Sequence, residues 1–152
     1  DGIILPNLKM TGEEEGCGFL TEEGRCGIHP FRPGICRLFP LGRYYTDDGF
    51  KYILQIHECE RAGRTKIKVS KWIDTEDIPR YTKYINDWHK FQKDMQRNLI
   101  EYMRSGEDET ARNQTMLVLQ VMYVGMYDAE KDFYEQFDAR LTHIRELLCM
   151  TE

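Results

Sequence analysis

The sequence predicts an α+β fold, mainly α, in which a small loop-rich cysteine-cluster segment with a β-hairpin packs on a three-helix body. Two features of the 152-residue chain predict this class. Residues 1–60 contain nine of the twelve glycines and four of the five prolines, which is typical of loops and turns. Residues 61–152 carry apolar side chains at helical spacing. We therefore expect a loop-rich, cysteine-rich segment, 1–60, and a helical body, 61–152, within one structural domain.

A β-hairpin is the main regular element predicted in the cysteine-rich segment. Leu41–Thr46 and Phe50–His57 flank the turn residues Asp47–Gly49. An Asp-Gly pair favours a tight turn because glycine accepts a positive φ. Cys59 follows the second arm closely, so the hairpin would carry Cys59 back toward Cys36.

Three helices are predicted in the second half of the chain. The first spans about Pro79–Met103, since proline suits a first helical turn and apolar side chains then recur with a period near 3.6. The second spans about Glu109–Val124, where the apolar run from Met116 onward leaves a buried strand as the alternative. The third spans about Ala129–Cys149, with Asp128 as its expected N-cap.

Two further expectations concern the order and packing of these elements. A short strand, Thr65–Val69, is predicted before the first helix. The first and third helices are expected to pack against each other through their apolar stripes, which contain Trp88, Met95, Phe133, Phe137 and Leu141.

Composition and charge narrow the classes of partner. Hydrophobic residues make up 41% and charged residues 31% of the chain, which is typical of a soluble globular protein. No apolar run is long enough to cross a bilayer and no signal peptide is visible, so we expect a cytoplasmic protein without a membrane partner. The net charge of -5 argues against nucleic acid as a partner. Residues 61–104 hold an excess of Lys and Arg, which indicates a solvated helix face or, alternatively, a surface for an anionic partner.

Four of the five cysteines lie before residue 60, in the pattern Cys17-x8-Cys26-x9-Cys36-x22-Cys59. Without a secretory signal, a disulfide framework is the weaker explanation, and reduced thiols are free to bind metal. Four thiolates can complete a tetrahedral zinc site or hold an iron–sulfur cluster, and the spacing does not decide between these cofactors. The alternative is four ordinary small, buried hydrophobic side chains.

Several neighbours of the cysteines are candidates for supporting a metal site. Arg32 and Arg37 are expected to offset thiolate charge, with exposed, solvated side chains as the alternative. Arg32 precedes Pro33 in the cysteine-rich loop, which favours a structural or supporting role for it. His29 and His57 also lie close to cysteines in the sequence, although an ordinary loop histidine is the simpler explanation for each. Glycines beside the cysteines would allow the backbone to approach sulfur.

Three stretches of this segment resemble the YkgJ family of cysteine-cluster proteins. They are Cys17–Leu20, Gly24–His29 and Arg32–Pro40, which together read C-x-x-L…C-x-I-x-x-x-R-P-x-x-C-R-x-F-P. Members of the family are described as zinc- or iron-chelating domains with a CxxCxxCC signature. The resemblance therefore implies a metal ion or cluster as the cofactor, and it extends more loosely to Cys59.

The chain departs from the family pattern in one important respect. The CxxCxxCC run should lie upstream of Cys17, and no such run occurs here. The resemblance implies that the natural protein is longer and that this chain holds only part of the metal-binding set. His29 also stands where the family usually has an aromatic residue.

We expect the protein to be a metal-binding module with a structural role or a role in handling metal ions or clusters. Whether it also binds a protein partner is left open by the sequence. No Ser-His-Asp order, phosphate-binding loop or H-E-x-x-H motif is found, so enzymatic activity is not favoured. The alternative is a relative or accessory domain of a protein lysine methylase with a cysteine cluster, because flagellin lysine methylases have a similar cysteine-rich segment. Against it, no glycine loop for S-adenosylmethionine is recognisable.

Overall fold

The fold is α+β and mainly α, as predicted. The computed structural model describes residues 2–13, 15–58, 63 and 65–150. The chain divides into two compact units. We call Leu8–Ile78 the cysteine-rich unit, and Pro79–Glu152 together with Asp1–Asn7 the helical unit. The amino-acid composition predicts a boundary between two segments near residue 60. The two units instead divide at residue 78, where the longest helix begins.

The cysteine-rich unit contains two small antiparallel ribbons. Strands β1 (Met10–Thr11) and β2 (Gly16–Cys17) form the first, which the sequence did not reveal. Strands β3 (Leu41–Thr46) and β4 (Gly49–Leu54) form the second and confirm the predicted hairpin, although β4 ends at Leu54, short of the predicted end at His57. Gly49 has a φ of 125° at the turn, a conformation that glycine accepts without steric cost.

One face of the β3–β4 hairpin is aromatic. Tyr45 and Phe50 are paired across the strands with ring centroids 5.8 Å apart, and Phe50 meets Tyr52 edge to face at 5.1 Å. The Arg43 guanidinium lies 5.5 Å from the centre of the Phe50 ring. These side chains cover one another, while Leu54 at the end of β4 stays 49% exposed.

Two short helices pack together elsewhere in this unit. Helices α1 (Gly34–Leu38) and α2 (Val69–Ile73) bury Leu38 and Ile73 to 3% and 2% exposure. The indole nitrogen of Trp72 also donates a hydrogen bond of 3.1 Å to the Phe39 carbonyl.

The predicted strand Thr65–Val69 is wrong. Residues 65–68 are irregular, and Val69 begins α2 instead. No described strand pairs with this stretch, and Ile67 is 53% exposed. In the helical conformation Ile73 is buried. This burial favours a helix more than the alternating pattern of residues 65–69 favours a strand.

The helical unit consists of the three predicted helices. Helix α3 spans Ile78–Ser105, α4 spans Asp108–Leu119 and continues as a π-helix over Gln120–Val124, and α5 spans Phe133–Leu147. The helix predicted over 109–124 is confirmed, so the strand alternative from Met116 does not hold. Val118 and Met122, four residues apart, are both buried, at 0% and 3% exposure.

The predicted packing of α3 against α5 is also confirmed. The Phe137 ring meets Tyr84 at 4.6 Å and Trp88 at 6.3 Å. Phe133 is the exception within the predicted stripe, since it is 42% exposed. The buried cluster of this unit contains Phe91, Met95, Leu99, Ala111, Val118, Met122, Phe137, Leu141, Ile144 and Leu148.

The start of α5 differs from the sequence prediction. The helix begins at Phe133, and its N-cap is Asp132, whose Oδ1 accepts a 2.9 Å hydrogen bond from the backbone N–H of Glu135. Asp128, the predicted N-cap, instead accepts a hydrogen bond from the N–H of Glu130 in a turn. Both aspartates suit a cap, but only Asp132 also meets the Arg80 guanidinium through two hydrogen bonds, of 2.9 and 2.5 Å. This pair with α3 sets the start of the helix.

Replacing Asp132 with alanine is expected to destabilise the helical unit more than replacing Asp128. The Arg80 guanidinium, together with the Glu135 N–H, lowers the pKa of Asp132. A carboxyl group with a lowered pKa contributes stability above its unfolded pKa of about 3.9, and this stability is lost as pH falls through the folded pKa. The difference in unfolding free energy between wild type and Asp132→Ala should therefore be present at neutral pH and disappear in acid. Equal losses for the two alanine variants in urea denaturation would contradict this assignment.

Candidate metal centre

Cys17 and Cys26 lie on neighbouring stretches of paired backbone. Cys17 lies in β2 opposite Met10, and Cys26 forms an isolated antiparallel bridge with Leu20. Both side chains are half-buried free thiols.

The glycines that follow these cysteines serve backbone pairing. The N–H groups of Gly18 and Gly27 donate to the carbonyls of Lys9 and Phe19, at 3.2 and 2.8 Å. A Cβ atom at Gly18 or Gly27 would lie only 3.1 or 3.2 Å from the same carbonyl oxygens. Both N–H groups are thus directed at carbonyl oxygens, and these glycines allow a close approach of backbone to backbone.

Cys36 is positioned by α1. Its backbone N–H donates to the Pro33 carbonyl at 2.9 Å, and its side chain is a half-buried free thiol. Cys59, the fourth predicted ligand, lies outside the described residues. Cys149 is an exposed free thiol that follows α5 in the helical unit.

The three described cysteines of this segment do not by themselves form a ligand group. Across residues 2–13, 15–58, 63 and 65–150, no set of three or more His, Cys, Asp or Glu side chains is arranged to hold a metal ion. Because Cys59 lies outside that part of the chain, the site of Cys17, Cys26, Cys36 and Cys59 stays a prediction.

Arg37 holds the backbone around Cys36 together. Its Nη2 donates to the Pro30 carbonyl at 3.0 Å, and its Nε donates to the Arg32 carbonyl at 3.3 Å. Its Nη1 lies 3.5 Å from the Asp74 carboxylate, just beyond the end of α2. Arg37 therefore fixes the loop before α1 and the end of α2 around the cysteine, and this is the contribution that the described contacts assign to it.

Arg32 is the candidate supporting residue with an unused donor. Its Nη1 lies 3.0 Å from Nε2 of His29, whose side chain is exposed. Its Nε is buried and has no hydrogen-bond partner among the described residues. An unpaired buried N–H is costly, and an anionic sulfur is one acceptor that would satisfy it. His57 follows β4 and is exposed.

These features define an α+β protein with two units, one of which carries a candidate thiolate site. Comparison with known proteins finds no matching family model, and no curated protein or solved structure matches the chain significantly. Within the described residues, none of the helices has the length and apolar character needed to cross a membrane. The YkgJ resemblance and the lysine methylase alternative stay predictions.

Proposed function

We propose that the cysteine-rich unit is a metal-binding module in which the thiolates of Cys17, Cys26, Cys36 and Cys59 hold zinc or an iron–sulfur cluster. One observation carries the proposal: this unit has very little hydrophobic core. Among its described residues, the only buried hydrophobic side chains are Leu38 and Ile73. Small units with so little core usually depend on disulfides or a metal for stability.

The magnitudes favour a metal over hydrophobic burial as the source of stability. Two fully buried side chains contribute only about 1.5–3 kcal/mol each. Large apolar side chains of this unit are exposed instead, such as Phe31 at 85% and Ile35 at 64%. A structural zinc site contributes about 10–16 kcal/mol, more than those two buried side chains together.

The positions of the cysteines are compatible with a site that forms as the metal binds. The three described thiols lie on separate small elements: β2, the bridge at Leu20 and α1. A metal with bonds to sulfur of about 2.3 Å would draw these elements together, so that binding and folding are coupled. The buried, unpaired Nε of Arg32 supplies a donor for a thiolate in that state.

The nature of the metal can be determined by anaerobic purification followed by metal analysis and a visible spectrum. Stoichiometric zinc in a colourless protein would identify a zinc site. Iron and sulfide with broad visible absorbance would identify a cluster. Protein that takes up neither zinc nor iron would refute the proposal.

Replacing Cys36 with serine is expected to reduce bound metal per chain to trace levels. Serine has nearly the same size as cysteine but supplies no soft anionic sulfur. Cys149→Ser is the matched control, since that thiol lies in the helical unit, and it should keep full metal content. Full metal content in Cys36→Ser would show that this cysteine is not a ligand.

A further inference from the structure

The helical unit contains a small aromatic pocket that the proposed metal site does not involve. Its volume is about 130 Å³, and no charged side chain lines it. We propose that this pocket binds a quaternary, trimethylated ammonium group. Apart from Met122, its lining side chains are six aromatic residues from three helical stretches and the loop between two of them: Tyr84, Trp88, Tyr123, Tyr127, Phe133 and Phe137.

Trp88 and Tyr84 are set at steep angles to their neighbours in the lining, whereas Phe133 lies at only 34° to Tyr127 and 26° to Phe137. Trp88 meets Tyr123 at 5.8 Å with a 77° angle between the planes, and meets Phe137 at 6.3 Å with a 78° angle. Phe133 meets Tyr127 at 5.2 Å. Tyr123 and Phe133 are 41% and 42% exposed, whereas Phe137 is buried at 3%. The pocket therefore has an exposed aromatic rim and a buried aromatic base.

This lining favours a cation that carries no N–H groups. Aromatic faces are negative and attract cations, with the largest effects where water is excluded. A plain ammonium would lose hydrogen bonds to water that the pocket cannot replace with a carboxylate. A quaternary ammonium presents apolar methyl groups and a delocalised positive charge. It therefore loses no N–H hydrogen bonds to water when it enters the pocket.

Arg140 is a charged residue that contacts the lining of the pocket. Its guanidinium lies 3.7 Å from the centre of the Tyr127 ring, which shows a cation held on one of these aromatic faces. The same guanidinium donates to the carbonyls of Val121, Gly125 and Met126, at 3.0, 2.6 and 2.6 Å. These carbonyls lie where the π-helix ends, at the negative end of the helix dipole. The charge of Arg140 is therefore compensated locally, and it occupies only one face of one ring.

The π-helix gives independent support for a binding role. Tyr123 lies within it, over Gln120–Val124. Such helices are rare and are found frequently at functional sites.

Choline and its neutral isostere 3,3-dimethylbutan-1-ol test the proposal, since they differ in charge but share shape. The methyl resonances of either ligand should shift upfield in NMR titrations if the aromatic rings enclose them. We expect choline to bind about 2- to 30-fold more tightly than the isostere, the range of a cation–π contribution. Equal affinities would show a merely apolar pocket, and no binding of choline would also overturn the proposal.

Tyr123→Leu provides the test of position, because leucine keeps an apolar rim but removes a π face. This variant should lose most of the preference for choline over the isostere. Tyr134→Leu is the control, because Tyr134 contacts the Tyr84 ring at 6.2 Å but does not line the pocket. An unchanged preference in Tyr123→Leu, with wild-type helical content by circular dichroism, would contradict the assignment. Titration with a trimethyllysine peptide and with phosphocholine then distinguishes a protein source of the group from a headgroup source.

Discussion

Removal of the metal is expected to unfold the cysteine-rich unit, Leu8–Ile78, while the helical unit stays folded. If the unit holds a metal as proposed, it should depend on that metal for stability, because Leu38 and Ile73 are its only buried hydrophobic side chains among the described residues. Loss of a structural zinc site would remove about 10 kcal/mol, more than a core of this size supplies. The helical unit has its own continuous core and should be unaffected.

Hydrogen exchange with peptide resolution measures this directly, before and after chelation. Amides of β3 and β4 should lose protection, whereas amides of α3 and α5 should keep it. Metal-loaded Cys149→Ser protein is the control and should respond to the chelator as wild type does. Unchanged protection in β3 and β4 after complete metal removal would show that the metal is not the stabilising element.

Replacing Phe91 with alanine is expected to lower the unfolding free energy of the helical unit by about 3–5 kcal/mol. The Phe91 side chain is fully buried, at 0% exposure, and stacks on Trp88 with ring centroids 5.4 Å apart. The Arg145 guanidinium also lies 5.4 Å from the centre of the ring. Truncation would therefore leave a cavity at the centre of the α3–α5 packing.

Urea denaturation followed by far-ultraviolet circular dichroism gives the free energy. Met126→Ala is the control because Met126 is 91% exposed, and it should change stability by no more than about 0.5 kcal/mol. If Phe91→Ala behaved like Met126→Ala, the buried position of Phe91, and with it the core of this unit, would be wrong.

The helices were predictable because their information is local and repeats along the chain. In α3, Phe91, Met95 and Leu99 recur at four-residue spacing, and all three are buried. The wider stripe also contains three-residue steps, from Ile85 to Trp88 and from Trp88 to Phe91, which in a strand would place these side chains on opposite faces. The hairpin was predictable for a similar reason, because Gly49 marks its turn between two β-prone arms.

The candidate site was only partly predictable. Residue type singled out the cysteines, and the sequence also drew attention to Arg32. The buried, unpaired Nε of Arg32 and the backbone contacts of Arg37 depend on the loop conformation, which no sequence spacing specifies. The aromatic pocket was not anticipated, because Tyr123 and Tyr127 carry no sequence signal that separates them from ordinary core residues.

What the sequence by itself determined is therefore the class of fold, the three long helices, the β3–β4 hairpin and the identity of the candidate ligands. These follow from periodicity, turn residues and side-chain chemistry, all of which act over a few neighbouring residues. The tertiary structure decided the start of α5, where Arg80 selects Asp132 over Asp128 as the N-cap. It also decided the conformation at Val69, where burial of Ile73 against α1 favours a helix over a strand. In both cases the local sequence is compatible with two conformations, and the one that forms makes a contact with a residue distant in the chain.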